Sequence, residues 1–595
     1  MKLTIPTAGI AVLLASLNGC AITAFAPPMG DVRMPRRAPL PHINAGPMHV
    51  SASWTNPLPR TNRSRRSSLK ASPLASVSAA AIAAARTVSA PSSILKAVLA
   101  FLAIVVAKNR NRIFYPGSLP DSSRAEPLPP GTVGGCPWIG SLGVFRDTNR
   151  YMSERAAKVV GGAKNPPPKI WKFFSFGHPV AVVSGSAAVK KLLSHEFKKE
   201  QGVSQMIDAG NKEMGEVLFG TESMSSETSD AKKYHLLQRL VGQALTPESV
   251  AKGMPFLQRC AEESVSEMLA QDTIVMNDLL HQFTLDVAWR QIIGLKLGSS
   301  EEISSFRSAV STWMGALTNY FLYAIPTPKW VLKRLSSYKA KMYLNSKIEE
   351  RINELEKNGP DGTTMSAMVY ATDEEDGLTK LTRQQIIDNT CLLLLAGSET
   401  SSNTLTNAMF LLGMYPNIWD KLVKEQQGLV EKYGEDLTKD QIDNECPYLD
   451  GVVGETMRLI PISAGGIRKV DDTLILDGYQ IPKGWMALYS PALTHEQDPK
   501  TFQEDGSHMN IRSGFKPERW MDSATRPTSE FIPFGAGHRF CLGHNLAMAE
   551  MKTFLAVMAR KVRSFDLVSD ADKMKWKEGI ICTPKDGVIV SAHSK

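Results

Sequence analysis

A helix-rich α+β domain, mainly α with a small β-rich region, is the fold class that the sequence predicts. Three observations predict it. Residues 185–460 carry apolar side chains at helical spacing, broken near 219–230 and 323–329. Short strand-like runs flank that stretch, at 169–176 and 180–184 before it and at 474–480 and 485–491 after it. No Gly-rich loop follows a strand, so a Rossmann or P-loop site has no support. With 43% hydrophobic and 21% charged residues over 595 positions, a sizeable core is available.

The chain opens on targeting segments. Residues 1–24 read as a secretory signal: Lys2, an apolar stretch, then small residues ending at Ala24. Residues 25–90 are rich in Ser, Ala, Pro and Arg and hold a single acid, Asp31, which is transit-peptide composition. The junction Ala24-Phe25-Ala26-Pro27 resembles the cleavage motif of bipartite presequences that lead into secondary plastids. The expected location is therefore a plastid membrane, with the endoplasmic reticulum membrane as the alternative. The apolar run 94–107 spans roughly 21 Å as a helix at about 1.5 Å per residue. That is short of a hydrocarbon core of about 30 Å, so residues 91–112 are expected as a short or interfacial anchor. A hinge over 113–130 then leads into a catalytic domain at 131–595.

Charge follows the same division. Of 68 Lys and Arg, 14 lie in residues 1–120, and the remaining 54 face 58 acids. The net charge of +9 belongs to the leader, and no nucleic-acid partner is expected. The seven cysteines (Cys20, Cys136, Cys260, Cys391, Cys446, Cys541 and Cys582) are scattered, odd in number and without a CxxC. That speaks against a disulfide framework or a cysteine-rich zinc site and favours one special cysteine among inert buried ones.

Within the catalytic domain the 169–176 and 180–184 runs are expected as two strands around a Gly177-His178-Pro179 turn. A long helix follows the capping box Thr382/Gln385, with Leu381 and Ile386 as a staple. It passes Leu395 and Ala396 to Gly397-Ser398-Glu399-Thr400. Gly397 costs that helix about 1 kcal/mol relative to Ala and so calls for a reason. Residues 505–514 look like an exposed polar insertion.

The most informative segment is Phe534-Gly535-Ala536-Gly537-His538-Arg539-Phe540-Cys541-Leu542-Gly543. A cysteine one turn before a helix has its thiolate favoured by the N-terminal dipole and nearby N–H groups. The glycines let backbone approach a large flat cofactor. Arg539 supplies a cation for an acidic group of that cofactor, and Phe534 can shield the loop from water.

This Phe-x-x-Gly-x-Arg-x-Cys-x-Gly pattern resembles the haem-binding motif of the cytochrome P-450 superfamily, with every diagnostic position filled. The resemblance implies the cytochrome P-450 fold, with haem b between the long central helix and the Cys-ligand loop. Cys541 would be the iron ligand, with Arg539, Phe534, Gly535 and Gly543 about the haem. Glu455 and Arg458, three apart on a helix, match the family's Glu-x-x-Arg pair, and Arg519 in Phe515-Lys516-Pro517-Glu518-Arg519-Trp520 would complete that ion network. Gly397 would open the helix over the haem, and Glu399-Thr400 would be the acid–alcohol pair that delivers protons there. His235 and Arg239 at i,i+4, and Arg468, are implied as partners of the haem propionates.

The resemblance covers about 120–595. Residues 461–485 look closest to retinoic-acid hydroxylases and to the plant abscisic-acid and brassinosteroid branch, although Ile462 stands where relatives carry a second proline. It implies a monooxygenase that inserts one atom of O2 into an apolar, isoprenoid substrate such as a carotenoid, apocarotenoid, retinoid or sterol. Leu395, Ala396, Ala464, Gly465 and Gly466 are expected in its pocket. The chain has no flavin or iron–sulfur motif, so electrons from NADPH would arrive through a separate redox partner, ferredoxin or a flavoprotein P-450 reductase. Two alternatives stand: a haem-thiolate isomerase or dehydratase of fatty-acid hydroperoxides, and a non-catalytic haem- or lipid-binding protein. An intact Glu399-Thr400 pair argues against the first.

Overall fold

The computed structural model describes residues 104–595 except 107–108, 137, 142–147, 163–164, 176, 206–211, 318–326 and 578–580. All of these belong to the compact unit that spans residues 74–595. The signal at 1–24, the transit-like segment at 25–90 and most of the apolar run at 94–107 lie outside the described residues. Among the described residues no helix is long and apolar enough to cross a membrane.

Strands β1 (Ile170–Ser175) and β2 (His178–Val183) form the expected antiparallel pair. His178 and Pro179, expected in the turn, belong to β2 instead. Pro179 is tolerated there because the parallel pairing on the other side of β2 starts only at Val180. Helix α1 (Ser186–Ser194) follows, then β3 (Val203–Gln205), α2 (Ala231–Gly242), α3 (Pro247–Leu269) and α4 (Met276–Val287). The long helix α5 runs from Arg383 to Met414, and its capping box forms as anticipated, each of Thr382 and Gln385 bonding the other's backbone N–H. Helix α6 (Pro447–Leu459), strands β4 (Gly466–Val470) and β5 (Met486–Tyr489), and helix α7 (His544–Lys561) complete the elements that build the site.

The main sheet has the order β1-β2-β5-β4-β3, with β2 and β5 parallel and the other pairs antiparallel. The run 474–480, expected as one strand, is a hairpin: Leu474–Leu476 pairs with Tyr479–Ile481. Asp477 and Gly478 both have positive φ, +53° and +79°, the tight-turn geometry that an Asp-Gly pair favours. Strand β4 and the C-terminal strands Val562–Leu567 and Ile589–Ser594 are not legible in the sequence, because their alternation is short and mixed with charge.

The core is helical. Helix α5 packs against α4, α6 and α7, and α7 packs in turn against α3. Phe283 of α4 meets Phe554 of α7 with ring centroids 5.2 Å apart, and the α7 run Phe554–Ala559 is fully enclosed. Burying one such aromatic contributes about 1.5–3 kcal/mol.

The 505–514 insertion is exposed at Asp505, Asn510, Arg512 and Ser513, as its composition suggests, but not throughout. His508 is buried, and its Nδ1 accepts the Gln503 N–H. The carbonyls of His508 and Gly514 both accept from Arg458 Nη2. The insertion therefore closes over the ion network of α6.

Candidate functional site

Cys541 lies on a cavity of about 210 Å³. The α5 residues Thr400, Ser401 and Thr404 form one part of its wall, and Phe534, Gly535 and Cys541 of the cysteine loop form another. Met457, Ile462, Ser463, Tyr489, Ala547 and Met551 are among the rest. The long helix and the cysteine loop thus share one space, as expected for a flat group held between them.

The loop is shaped by its own backbone. Cys541 N–H donates to Phe534 O at 3.0 Å, and Gly535 and Gly537 have φ of +75° and +67°. A Cβ at Gly537 would approach Leu193 of α1 to 2.9 Å, so this residue type lets α1 press against the loop. Phe534 packs on Phe540 and His544. Gly543 is the N-cap of α7.

The thiol differs from the expectation. Burial pushes the Cys541 thiol up, and the Gly543 N–H offsets only part of that. Helix position alone does not outweigh desolvation; a bound cation such as iron would supply the missing stabilisation of the thiolate. Among the other cysteines, burial pushes Cys260 and Cys391 up to about 12 and Cys446 to about 11, so these are inert.

Thr400 faces the cavity, with its hydroxyl donating to Ala396 O at 2.7 Å. The helix is continuous through Gly397, so the opening expected there is not formed; the Thr400 hydroxyl engages the carbonyl four residues back instead. Glu399 is outside the cavity wall. Its carboxylate accepts from Asn403 Nδ2 at 3.2 Å and sits 3.8 Å from His281 Nδ1. Of the expected pocket residues, Leu395, Ala396, Ala464, Gly465 and Gly466 do not line this cavity. The last two let β4 approach β5: a Cβ on Gly465 would fall 1.7 Å from Tyr489 O, and one on Gly466 would fall 2.6 Å from the Tyr489 ring. Ile462 and Ser463 provide that part of the wall.

Behind the loop, Glu455 is fully buried and accepts five hydrogen bonds. Arg458 Nε and Nη2 donate at 2.8 Å each, Trp520 Nε1 at 3.0 Å, Arg519 Nε at 3.2 Å and Lys516 N–H at 3.3 Å. The expected trio is therefore assembled, and Trp520 is a member that the motif did not announce. His495 is another. Its Nδ1 meets Arg458 O, and its Nε2 accepts the Ile532 N–H, which ties α6 to the start of the cysteine loop. Burial depresses it to about 3, so the ring is neutral.

The cationic side of the site divides. Arg468 and Arg539 converge on the buried Glu196, and Arg539 also lies 3.8 Å over the Tyr234 ring. Arg239, expected at a propionate, is committed to Asp373, donating from Nε at 3.0 Å and Nη2 at 2.9 Å, with Glu375 beyond. His235 hydrogen-bonds Gln238 and has its ring 5.2 Å from that of His538. Two arginines beside a cavity that carries a cysteine fit a planar group with an iron centre and carboxylate arms.

A family model described as Cytochrome P450 matches residues 129–590. The chain belongs to the cytochrome P450 family. It is similar to cytochrome P450 120 of Synechocystis sp., 26% identical over 80% of this chain and 99% of that protein. It is likewise similar to cytochrome P450 26A1 of Gallus gallus, 27% identical over 84% of this chain and 96% of that protein. A match to cytochrome P450 716A2 of Arabidopsis thaliana is 25% identical over 76% of this chain and 90% of that one. Among solved structures, a retinoic-acid-bound cyanobacterial CYP120A1 superposes with a TM-score of 0.63 at 25% identity, over 79% of this chain and 100% of that one. A cytochrome P450DA haem domain gives 0.64 at 18% identity over 79% and 98%, which supports the fold. The protein is a cytochrome P450 monooxygenase, and membership implies a haem cofactor, O2, a hydrophobic substrate and electrons from a redox partner.

One buried acid of this cytochrome P450 has a measurable consequence. Glu550 of α7 is enclosed with Oε2 unpartnered, and burial raises it from an ordinary 4.5 to about 8. The unfolded chain releases that proton where the folded chain retains it, so stability falls as pH rises from 4.5 to about 8. Glu550→Gln, neutral and isosteric, removes the dependence. Melting curves should show the variant above wild type past pH about 8 and level with it near pH about 4. Parallel curves throughout would show that the acid is charged in the fold.

Proposed function

We propose that Cys541 Sγ holds the iron of haem b and that the substrate is an isoprenoid. The observation that carries the first part is the placement of Cys541 and Thr400 on the wall of one cavity. Arg468 and Arg539 would take the haem carboxylates. Bound there, haem would supply reductive activation of O2 and transfer of one oxygen atom to an apolar substrate. The chain's own residues provide the surroundings. With haem in place, Phe534 and the loop packing would limit the access of water to the cysteine. Thr400 Oγ lies at the cavity wall; turned away from Ala396 O, its hydroxyl would pass a proton into the cavity, and Glu399, half-buried beside His281, would be the acid that resupplies it.

Thr400→Ala removes that hydroxyl. Consumption of O2 and reductant should continue while product falls and hydrogen peroxide is released. Unchanged coupling would take Thr400 out of proton delivery.

The apolar lining of Met457, Ile462, Phe534, Ala547 and Met551 suits the apolar faces of the haem. The retinoic acid in the cyanobacterial relative's structure supports an isoprenoid. The transit-like leader supports a plastid location, where carotenoids and apocarotenoids are the available class. Electrons from NADPH would then arrive through ferredoxin; a flavoprotein reductase would serve at the endoplasmic reticulum. The test is a substrate-binding difference spectrum screened across carotenoids, retinoids, sterols and fatty acids. An isoprenoid should shift the haem spectrum at the lowest concentration. A response confined to fatty acids or their hydroperoxides would overturn the assignment.

A further inference from the structure

Glu196 is not part of any motif, yet it occupies the centre of the cationic side of the site. It follows the C-terminus of α1, where Glu196 N–H bonds Leu193 O, and it bridges to Val203 at the start of β3. Only 2% of its surface is exposed. Its two carboxylate oxygens are used separately: Oε1 accepts from Arg539 Nε at 2.7 Å, and Oε2 from Arg468 Nε at 3.3 Å. One carboxylate thus joins an arginine two residues from Cys541 to an arginine of β4.

The pattern of donors decides what this bridge does. A guanidinium has five N–H groups, one on Nε and four on the two Nη atoms. Glu196 takes the single Nε donor of each arginine. Arg539 spends one further donor from each Nη on the carbonyls of Met224 and Glu227, which fixes its plane. Arg468 spends one Nη1 donor on Ile467 O, and among the described residues no hydrogen bond engages its Nη2. Glu196 therefore clamps the guanidiniums by their stems and leaves terminal N–H groups on both. The charge balance is consistent with this. Two cations and one anion leave one net positive charge beside the cavity, enough to attract an acidic ligand without stranding two buried, unpaired arginines.

We infer that Glu196 is a positioning residue for the haem carboxylates, holding Arg468 and Arg539 in the orientation that receives them. This rests on the reading of the cavity as a haem site. A side chain that orients a ligand-binding group from behind typically changes affinity by about 10–100-fold when replaced.

The test measures haem loss from the purified full-length holoprotein to excess apomyoglobin, with the reduction potential of the bound haem and the melting of the ligand-free chain recorded in parallel. Glu196→Gln places an amide N–H against one guanidinium. It should release haem at least about tenfold faster and raise the haem potential, because a negative charge near the carboxylates is gone. Glu196→Asp should recover part of both effects. Glu196→Gln combined with Arg468→Gln should lose less than the product of the two single effects, since both act on one contact. Should Glu196→Gln fail to fold, Glu196→Asp and Arg468→Gln carry the test, each releasing haem faster by more than its change in ligand-free melting accounts for.

Wild-type release rates in these variants overturn the role. Slower release also overturns it, because Glu196 would then be competing with the haem carboxylates. A wild-type chain that takes up no haem overturns instead the reading on which the inference rests.

Discussion

Glu455→Gln is expected to remove a large part of the stability of the catalytic domain. Glu455 is fully buried and accepts from Arg458 twice, from Arg519, from Trp520 and from the Lys516 backbone. Glutamine offers one acceptor oxygen, and its amide would point N–H groups at donors. The larger penalty falls on Arg458, only 1% exposed, whose remaining contacts are two carbonyls and the Met509 sulfur. A buried guanidinium stripped of its carboxylate costs about 3–5 kcal/mol, against a typical total of about 5–15 kcal/mol. The damage would spread to the cysteine loop, because His495 couples Arg458 O to Ile532 N–H. Chemical denaturation should show a midpoint far below wild type and a preparation poor in haem. A wild-type midpoint with full haem would show that the network does not brace the site.

The second large effect is Cys541→Ala, and it differs in kind. The backbone contact that shapes the loop, Cys541 N–H to Phe534 O, survives the substitution. The side chain's polar partner is the N–H of Gly543 at the start of α7. The ligand-free variant should therefore melt close to the ligand-free wild type. Haem retention should collapse, because no other cysteine among the described residues lines the cavity. Cys391→Ala and Cys446→Ala are the controls. Both thiols are enclosed in the helical core, so these variants lose some stability and keep haem. Normal haem content in Cys541→Ala would remove the residue from the ligand position.

Part of this architecture is legible in the amino-acid sequence. The capping box at Thr382, the glycine-shaped loop and the pair Glu455/Arg458 are local patterns whose geometry follows from spacing. The β1–β2 hairpin is legible because two short runs rich in aromatic and β-branched residues flank a Gly-containing turn. What escapes depends on contacts between distant segments. Glu196 has no recognisable spacing to Arg468 or Arg539, and Trp520 and His495 look like ordinary core residues until α6 is folded beside them. The contact of the 505–514 insertion with Arg458 escapes because it is made by backbone carbonyls, which sequence does not display. The Ala464–Gly466 segment looks like pocket wall because it is small and apolar, whereas its glycines serve the approach of β4 to Tyr489. The Asp477-Gly478 turn is a local signal that outweighs the apolar continuity of 474–480, because two successive positive φ angles end a strand whatever flanks them.

The central claim is that Cys541 presents a thiolate to haem iron in the cavity beneath Thr400. The most direct measurement is the absorption spectrum of the reduced full-length protein with carbon monoxide. The account predicts the strongly red-shifted Soret band of thiolate ligation in the wild type and its absence in Cys541→Ala. A Soret band at the position of imidazole-ligated haem in the wild type, or a thiolate-type band that persists in Cys541→Ala, would contradict it.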